Sequence, residues 1–111
     1  MIEYTILRYF SDHLDVPCYM MRPEKPPKEY VLIEKTGGSK DNYITTSTFA
    51  FKSYAETLLK ASELNEDVMA VAENLIEVDE ITKSKYQTDY NFTNAATKQP
   101  RYQAVFDITH Y

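Results

Sequence analysis

An apolar stripe near the middle of the chain constrains the fold more than any other feature. Its members recur at spacings of three and four residues, which places them on one face of an α-helix. They are Leu58, Ala61, Leu64, Val68, Val71 or Ala72, and Leu75. Because no glycine or proline interrupts the segment, we predict a helix over residues 55–76. Its start lies between residues 54 and 58, since both a capping box at Ser53 and an N-cap at Thr57 are available.

Segments with alternating polarity supply a layer against which this helix can pack. Residues 42–54 alternate with period two and are rich in β-branched and aromatic residues, which predicts a strand. One face carries Tyr43, Thr45, Ser47, Phe49 and Phe51, and the other carries Ile44, Thr46, Thr48 and Ala50. Further strands are predicted at 16–20, 30–35, 84–92 and 101–111, the last with Tyr102, Ala104, Phe106 and Ile108 on one face. An N-terminal helix is predicted over residues 1–14 and is ended by Pro17.

Glycine and proline mark the connections between these elements. The only two glycines, Gly37 and Gly38, are adjacent and predict a hairpin turn at residues 36–39, because glycine adopts positive φ easily. Three prolines predict a stiff, exposed loop over residues 22–28, and residues 93–99 form a polar loop. We therefore predict one α+β domain over residues 1–111, with a mostly antiparallel sheet, an N-terminal helix and one long helix packed on one face.

The composition limits the classes of function. With 12 Lys and Arg against 17 Asp and Glu, the net charge of −5 argues against a protein that mainly binds nucleic-acid backbones. No segment has the roughly 20 apolar residues of a membrane helix, and the first residues lack the pattern of a signal peptide. With a single cysteine, neither an intramolecular disulfide nor a cysteine-based zinc site is expected. Ten tyrosines and no tryptophan suit half-buried surfaces and subunit contacts.

The residues that could carry chemistry have simpler interpretations. His13 and His110 have no obvious Ser, Cys or metal-ligand companion, and we interpret them as structural. Cys18 could be a nucleophile, but free cysteine more often serves as a small buried hydrophobic residue. The segment Gly37-Gly38-Ser39-Lys40 lacks the spacing of a phosphate-binding loop and lies between two strands rather than before a helix.

Two larger groups of side chains suggest binding. The acidic residues of the long helix could hold a cation, although charges on the outer face of an amphipathic helix are usually solvated; they are Glu63, Glu66, Asp67 and Glu73. A second group could stack on single-stranded nucleic acid; it comprises Tyr86, Tyr90, Phe92, Arg101 and Tyr102. No Lys or Arg cluster is interleaved with these aromatics, so we interpret them as cross-strand packing. We predict no catalytic, cofactor-binding or metal-binding residues, no cofactor and no enzyme activity.

The pattern of the whole chain carries a family resemblance. Its elements are the N-terminal helix before Val16-Pro17-Cys18-Tyr19, the proline-rich loop before Tyr30-Val-Leu-Ile-Glu-Lys-Thr-Gly-Gly, the junction Phe51-Lys-Ser-Tyr-Ala-Glu-Thr with Ala61 and Leu64-Asn65, and the segments 84–92 and 101–108. Together they resemble the small tail-terminator and neck (head–tail completion) proteins of long-tailed phages and prophages of Gram-positive bacteria. These motifs are compositional and structural and include no catalytic signature.

The resemblance implies a structural virion protein that assembles into a homo-oligomeric ring, commonly a hexamer. Such rings cap the growing tail tube, end its polymerisation and form the surface to which the filled head joins. The expected partners are other copies of the chain, the tail-tube protein and head–tail connector proteins, with no specific nucleic-acid binding and no membrane. The expected location is the tail or neck of the virion, assembled in the cytoplasm of the bacterial host. A heterologous contact that is repeated by rotation closes into such a ring.

Other functions remain open at this point. The resemblance does not separate a terminator from another neck or head–tail completion protein. A prophage-encoded regulatory module that binds a bacterial protein is a further alternative, and it would stay monomeric or dimeric. An enzyme is disfavoured because no convergent polar set is visible, and a broad hydrolase screen would test it. Genes for a tail tube and a tape measure in the neighbourhood would favour the structural role.

Overall fold

A computed structural model describes residues 1–111, which form two helices and a five-stranded sheet. The elements in chain order are α1 (Ile2–His13), β1 (Cys18–Tyr19), β2 (Tyr30–Asp41), β3 (Ile44–Tyr54), α2 (Leu58–Glu73), β4 (Ile81–Asn91) and β5 (Arg101–His110). A 3-10 turn, Asn74–Glu77, follows α2. The strand order is β1-β2-β3-β5-β4, and every neighbouring pair is antiparallel except β1–β2. The predicted α+β class with a mostly antiparallel sheet is confirmed.

Both helices pack on the same face of the sheet. The Phe10 ring of α1 stacks on Phe51 of β3 with 4.7 Å between centroids. The stripe of α2 is buried as predicted at Ala61, Leu64, Val68 and Ala72. It packs in one apolar core with Phe49, Phe51, Ala104, Phe106 and Ile108 of the two central strands. Leu58, the first residue of the helix, is the exception at 44% exposed.

The N-terminus of α2 resolves the choice between the two predicted caps. Thr57 is the N-cap, and its hydroxyl oxygen accepts a hydrogen bond of 3.1 Å from the backbone N–H of Lys60. This bond satisfies one of the free N–H groups of the first helical turn. Ser53 lies within β3 and is buried, so it plays no part in the cap.

The predicted glycine turn at residues 36–39 is wrong. β2 runs through both glycines and pairs with β3 as far as Asp41 opposite Ile44. The hairpin turns at Asn42 and Tyr43, whose φ angles of 47° and 71° fit a two-residue turn of the primed type. Gly38 is instead required by a close approach, because a Cβ there would lie 2.7 Å from the backbone oxygen of Thr46. Glycine within a strand also marks such contacts and bulges, and the register of the pairing shifts between Lys35 and Gly37.

The single parallel pair explains the proline-rich segment. Parallel neighbours need a connection that crosses back, so β2 cannot follow β1 through a tight turn. Residues 20–29 make this connection, and prolines suit it because they donate no backbone hydrogen bond. Residues 22–28 are largely exposed, as predicted. The predicted strand at 16–20 is reduced to Cys18–Tyr19.

Candidate interaction surface

The two histidines lie in different surroundings. His13 ends α1, where its ring stacks on Tyr9 at 4.0 Å and its Nδ1 lies 2.8 Å from the Tyr9 carbonyl oxygen. His110 is buried at the end of β5, with Nε2 2.8 Å from the Ser47 hydroxyl and Nδ1 3.0 Å from the Tyr111 carbonyl oxygen. These contacts fasten a helix end and a strand end.

Cys18 is a half-buried thiol in the short strand β1. Burial raises the pKa of Cys18 to about 11, so the thiol is protonated at neutral pH. Its sulfur lies 3.6 Å from the carbonyl oxygen of Val16 and packs against the apolar core. Because the thiolate is the reactive form of cysteine, this environment favours a packing role over a nucleophilic one.

The acidic residues of α2 lie on its exposed face: Glu63, Glu66, Asp67 and Glu73. No three His, Cys, Asp or Glu side chains in the protein come together in a way that could hold a metal ion. The surface of α2 therefore offers solvated charge.

Neither helix combines the length and apolarity that a segment crossing a bilayer requires.

The sheet separates the aromatic residues that suggested stacking. The Tyr86 ring meets Phe106 on the helix-covered face, with 5.8 Å between centroids. Tyr102 shares this face, because every second residue of a strand points to the same side, and Tyr102, Ala104 and Phe106 are successive members of that series in β5. Tyr90, Phe92 and Arg101 lie together on the opposite face, which we call the uncovered face because it carries no helix. The five residues therefore do not form one stacking platform.

Two cations, Arg101 of the predicted group and Lys52 from β3, accompany the aromatics of the uncovered face. The Arg101 guanidinium lies 4.4 Å and the Lys52 ammonium 5.8 Å from the centroid of Phe92. Arg101 donates hydrogen bonds to the Phe92 carbonyl oxygen and to the Tyr54 hydroxyl, and Lys52 pairs with Glu34 at 2.7 Å. Since both cations are bonded within the chain, we interpret their contacts with the aromatic rings as stabilising the sheet.

A polar cluster fastens β4 to α2. Asn65 is buried, and its side-chain N–H donates to Asp89 at 3.0 Å. Asp89 also accepts a hydrogen bond from the Tyr86 hydroxyl, which raises the pKa of Tyr86 because ionised tyrosine could not donate it. The inner side of β4 is thus tied to the body of the protein by contacts that the sequence pattern did not reveal.

The sheet has two free strand edges, one at each side. β4 is the last strand and has no neighbour along its outer edge, whereas β1 covers β2 only at Val31 and Leu32. The edge of β2 is therefore free over residues 34–41. β4 starts at Ile81 rather than at residue 84, because polar residues and a shift in register obscure its alternation. Free edges present unpaired N–H and C=O groups that can pair with another chain.

The two free edges are matched in level and direction. Lys40, Thr45, His110 and Ile81 lie in one row across the sheet. β2 and β4 run in opposite directions, because an odd number of antiparallel pairings separates them. A second copy set beside the first with parallel strand axes would therefore continue the sheet in the same antiparallel alternation.

A groove lies between α1 and the segment that leads into β4. We call it the α1 groove; it measures about 330 Å³ and is lined by Tyr4, Thr5, Arg8, Tyr9, Asp12, Val78 and Glu80. The Thr5 hydroxyl donates to Glu80 at 2.9 Å, and the Tyr9 hydroxyl lies 3.1 Å from Glu77. Burial and this hydrogen bond raise the pKa of Tyr9, which keeps the hydroxyl protonated as a donor. The groove is therefore held by defined contacts, and its lining combines apolar and charged side chains.

Comparison with known proteins adds no family. No protein-family model matches the chain, and a search of the curated proteins finds no match. The resemblance to tail-terminator and neck proteins therefore stays a prediction. The structure offers two kinds of surface for contact with another molecule, the two free edges and the α1 groove.

Proposed function

We propose that the protein is a structural subunit of a tailed phage or prophage, a tail-terminator-like protein that assembles into a ring. The ring caps the tail tube, ends its polymerisation and forms the surface to which the head joins. A hexamer, the tail-tube and connector partners and the virion location follow from the family resemblance of the sequence. Assembly takes place in the host cytoplasm.

The observation that carries this proposal is the pair of free edges at opposite sides of one sheet. The edges are different strands, so the contact between copies is heterologous and leaves one edge free on every added copy. Rotation between successive copies, which the natural twist of a sheet favours, allows the last copy to meet the first. A closed ring then removes both edges from solvent and with them the risk of unlimited pairing.

The surface chemistry supports a ring through which DNA passes without being held. The net charge is −5, and the cations of the uncovered sheet face, Lys52 and Arg101, are bonded within the chain. Little release of counterions from DNA is available to such a surface, so affinity for duplex DNA at physiological salt is expected to be unmeasurable.

A cysteine pair tests the contact between the edges. Continuation of the row that joins Lys40 and Ile81 places Ser39 of one copy opposite Thr82 of the next, and both residues are exposed. In a Cys18→Ala background, Ser39→Cys with Thr82→Cys should give a ladder of disulfide-linked oligomers that ends at the ring size. Each single-cysteine control should give dimers at most. A double variant that behaves like its controls would remove the edges from the interface.

Electron microscopy and genetics test the function. The purified protein with its tail-tube protein should show rings on tube ends, and a phage that lacks it should make irregular, overlong tails that fail to join heads. Tails of normal length in that phage would reject the terminator assignment. If such tails still failed to join heads, the second candidate, a neck or head–tail completion protein, would replace it.

A further inference from the structure

We propose that Tyr43, at the tip of the β2–β3 hairpin, docks in the α1 groove of a neighbouring copy of this chain. This inference rests on the proposed ring and specifies which contact holds neighbours together. It assigns an anchor residue and a socket, neither of which belongs to the paired strand edges themselves.

Tyr43 has a conformation and an exposure that the isolated chain does not need. Its φ of 71° lies in the left-handed region, where a bulky side chain is strained and glycine is preferred in this type of turn. Its side chain is 89% exposed, so contacts within the chain do not compensate for that strain. Ile44 beside it is also exposed. A strained aromatic residue held in solvent at a hairpin tip points to a contact outside the chain.

The α1 groove has the chemistry that a tyrosine side chain requires. Tyr4, Tyr9 and Val78 provide apolar wall, and Arg8, Asp12 and Glu80 provide donors and acceptors for a phenolic hydroxyl. Its volume of about 330 Å³ admits one aromatic side chain. Tyrosine combines an apolar body with a polar tip and is enriched among the residues that dominate interface energy.

The fold brings the tip and the groove to the same junction between copies. Continuation of the sheet places Lys40 of one copy beside Ile81 of the next, at the end of the sheet where the hairpin turns. Tyr43 then reaches beyond Ile81 to the residues that precede it in the chain. Those residues include Val78 and Glu80, which form one wall of the groove.

The charges around the tip and the groove are complementary. Lys40 and Asp41 directly precede the turn, and the groove carries Arg8 together with Asp12 and Glu80. Each charged residue of the hairpin can therefore pair with a residue of opposite charge on the neighbouring copy. Such exposed pairs guide the approach of the two surfaces and weaken with added salt.

Photocrosslinking tests the contact directly. Benzoylphenylalanine at position 43 preserves an aromatic residue at an exposed site, and the same residue at Leu59, which is 70% exposed on α2, is the matched control. On irradiation with the tail-tube protein present, position 43 should join two copies of the chain, with adducts mapped by mass spectrometry to residues 4–12 or 78–80. The Leu59 control should give no adduct there. Adducts of position 43 confined to other residues or to the tail-tube protein would overturn the docking.

A ring assay separates this inference from the proposed function. Tyr43→Ala should raise the protein concentration needed for rings by about tenfold or more, the effect of losing one interface anchor. Rings that form equally well with Tyr43→Ala would overturn the docking and leave the proposed function intact. A position 43 adduct in the groove without any rings would support the docking and reject the ring. Absence of both would overturn both.

Discussion

The two halves of the β2–β3 hairpin share one ladder of strand pairing but differ in burial and in what they present to solvent. The half nearest the core includes Val31, Ile33, Phe49 and Phe51, which are buried beneath the helices. The outer half, which ends in the turn, comprises residues 34–46. All of the residues that β2 contributes to it are exposed. Backbone pairing is continuous from Tyr30 opposite Tyr54 to Asp41 opposite Ile44, apart from one register shift.

This difference separates what folds the chain from what the chain presents. Strand pairing alone is only marginally stable in water, so the buried half must supply most of what the hairpin contributes to the free energy of folding. The outer half adds little apolar burial, yet it carries both glycines, one free edge and the strained tip. Truncation of a side chain in the buried half should therefore lower stability, and truncation of an exposed side chain in the outer half should change assembly.

Phe51→Ala should give the largest effect and unfold much of the protein at moderate temperature. The Phe51 ring is fully buried and lies within 6.0 Å of the rings of Phe49 and Phe106. Its truncation should lower the free energy of unfolding by about 3–5 kcal/mol, measured by urea denaturation. Tyr43→Ala, a truncation of similar size in the outer half, is the control and should lower it by less than about 0.5 kcal/mol. Comparable losses in the two variants would erase the distinction between the halves.

The adjacent glycines should respond in opposite directions. A Cβ on Gly38 would lie 2.7 Å from a backbone oxygen that cannot easily move, so Gly38→Ala should destabilise the protein by about 1–3 kcal/mol. A Cβ on Gly37 would meet no atom within 4 Å, so Gly37→Ala should stabilise it by about 0.5 kcal/mol through a less flexible unfolded chain. Thermal melts of the two variants, made in parallel, measure this. Equal melting temperatures would show that the close approach of β3 is not tight.

The glycine pair also shows what sequence patterns report and what they omit. Periodicity found both helices, because Ile6, Phe10, Leu64 and Val68 are buried by the chain itself. The glycine pair, by contrast, led to a wrong position for the turn, because glycine marks close approaches as well as turns. The turn is formed by Asn42 and Tyr43. The strand order, and with it the two free edges, depends on contacts between distant segments that no local pattern encodes. The candidate surface could therefore not be predicted in advance.

Cys18 tests the border of the buried half, because it pairs with Val31 at the short parallel strand. Cys18→Ala should lower the free energy of unfolding by about 1 kcal/mol and leave assembly unchanged. Burial raises the pKa of Cys18 from 9.0 to about 11, so the folded state holds the proton more tightly. The tighter binding of this proton by the folded state stabilises the protein fully below pH 9, and the stabilisation is lost as the pH rises towards 11. Alkylation of the native protein at pH 8 should accordingly be much slower than in urea, and equal rates would show an accessible thiol.

Tyr43→Gly should change stability only slightly, and it is the variant that best separates stability from assembly. Glycine adopts a φ of 71° without steric strain, and loss of a side chain that is 89% exposed removes little packing. We expect the strain energy relieved in the folded state to exceed the entropy cost of ordering a more flexible glycine. The free energy of unfolding should therefore rise by about 0.5 kcal/mol. The same variant should assemble more weakly, because the docking residue is gone. Tyr43→Phe is the matched control and should keep both the strain and most of the assembly, losing only the hydroxyl. Chemical denaturation and electron microscopy on the same preparations measure the two quantities. A Tyr43→Gly protein that is less stable than wild type would show that the tyrosine serves the hairpin itself. A more stable protein with impaired rings would show that this position sacrifices stability for assembly.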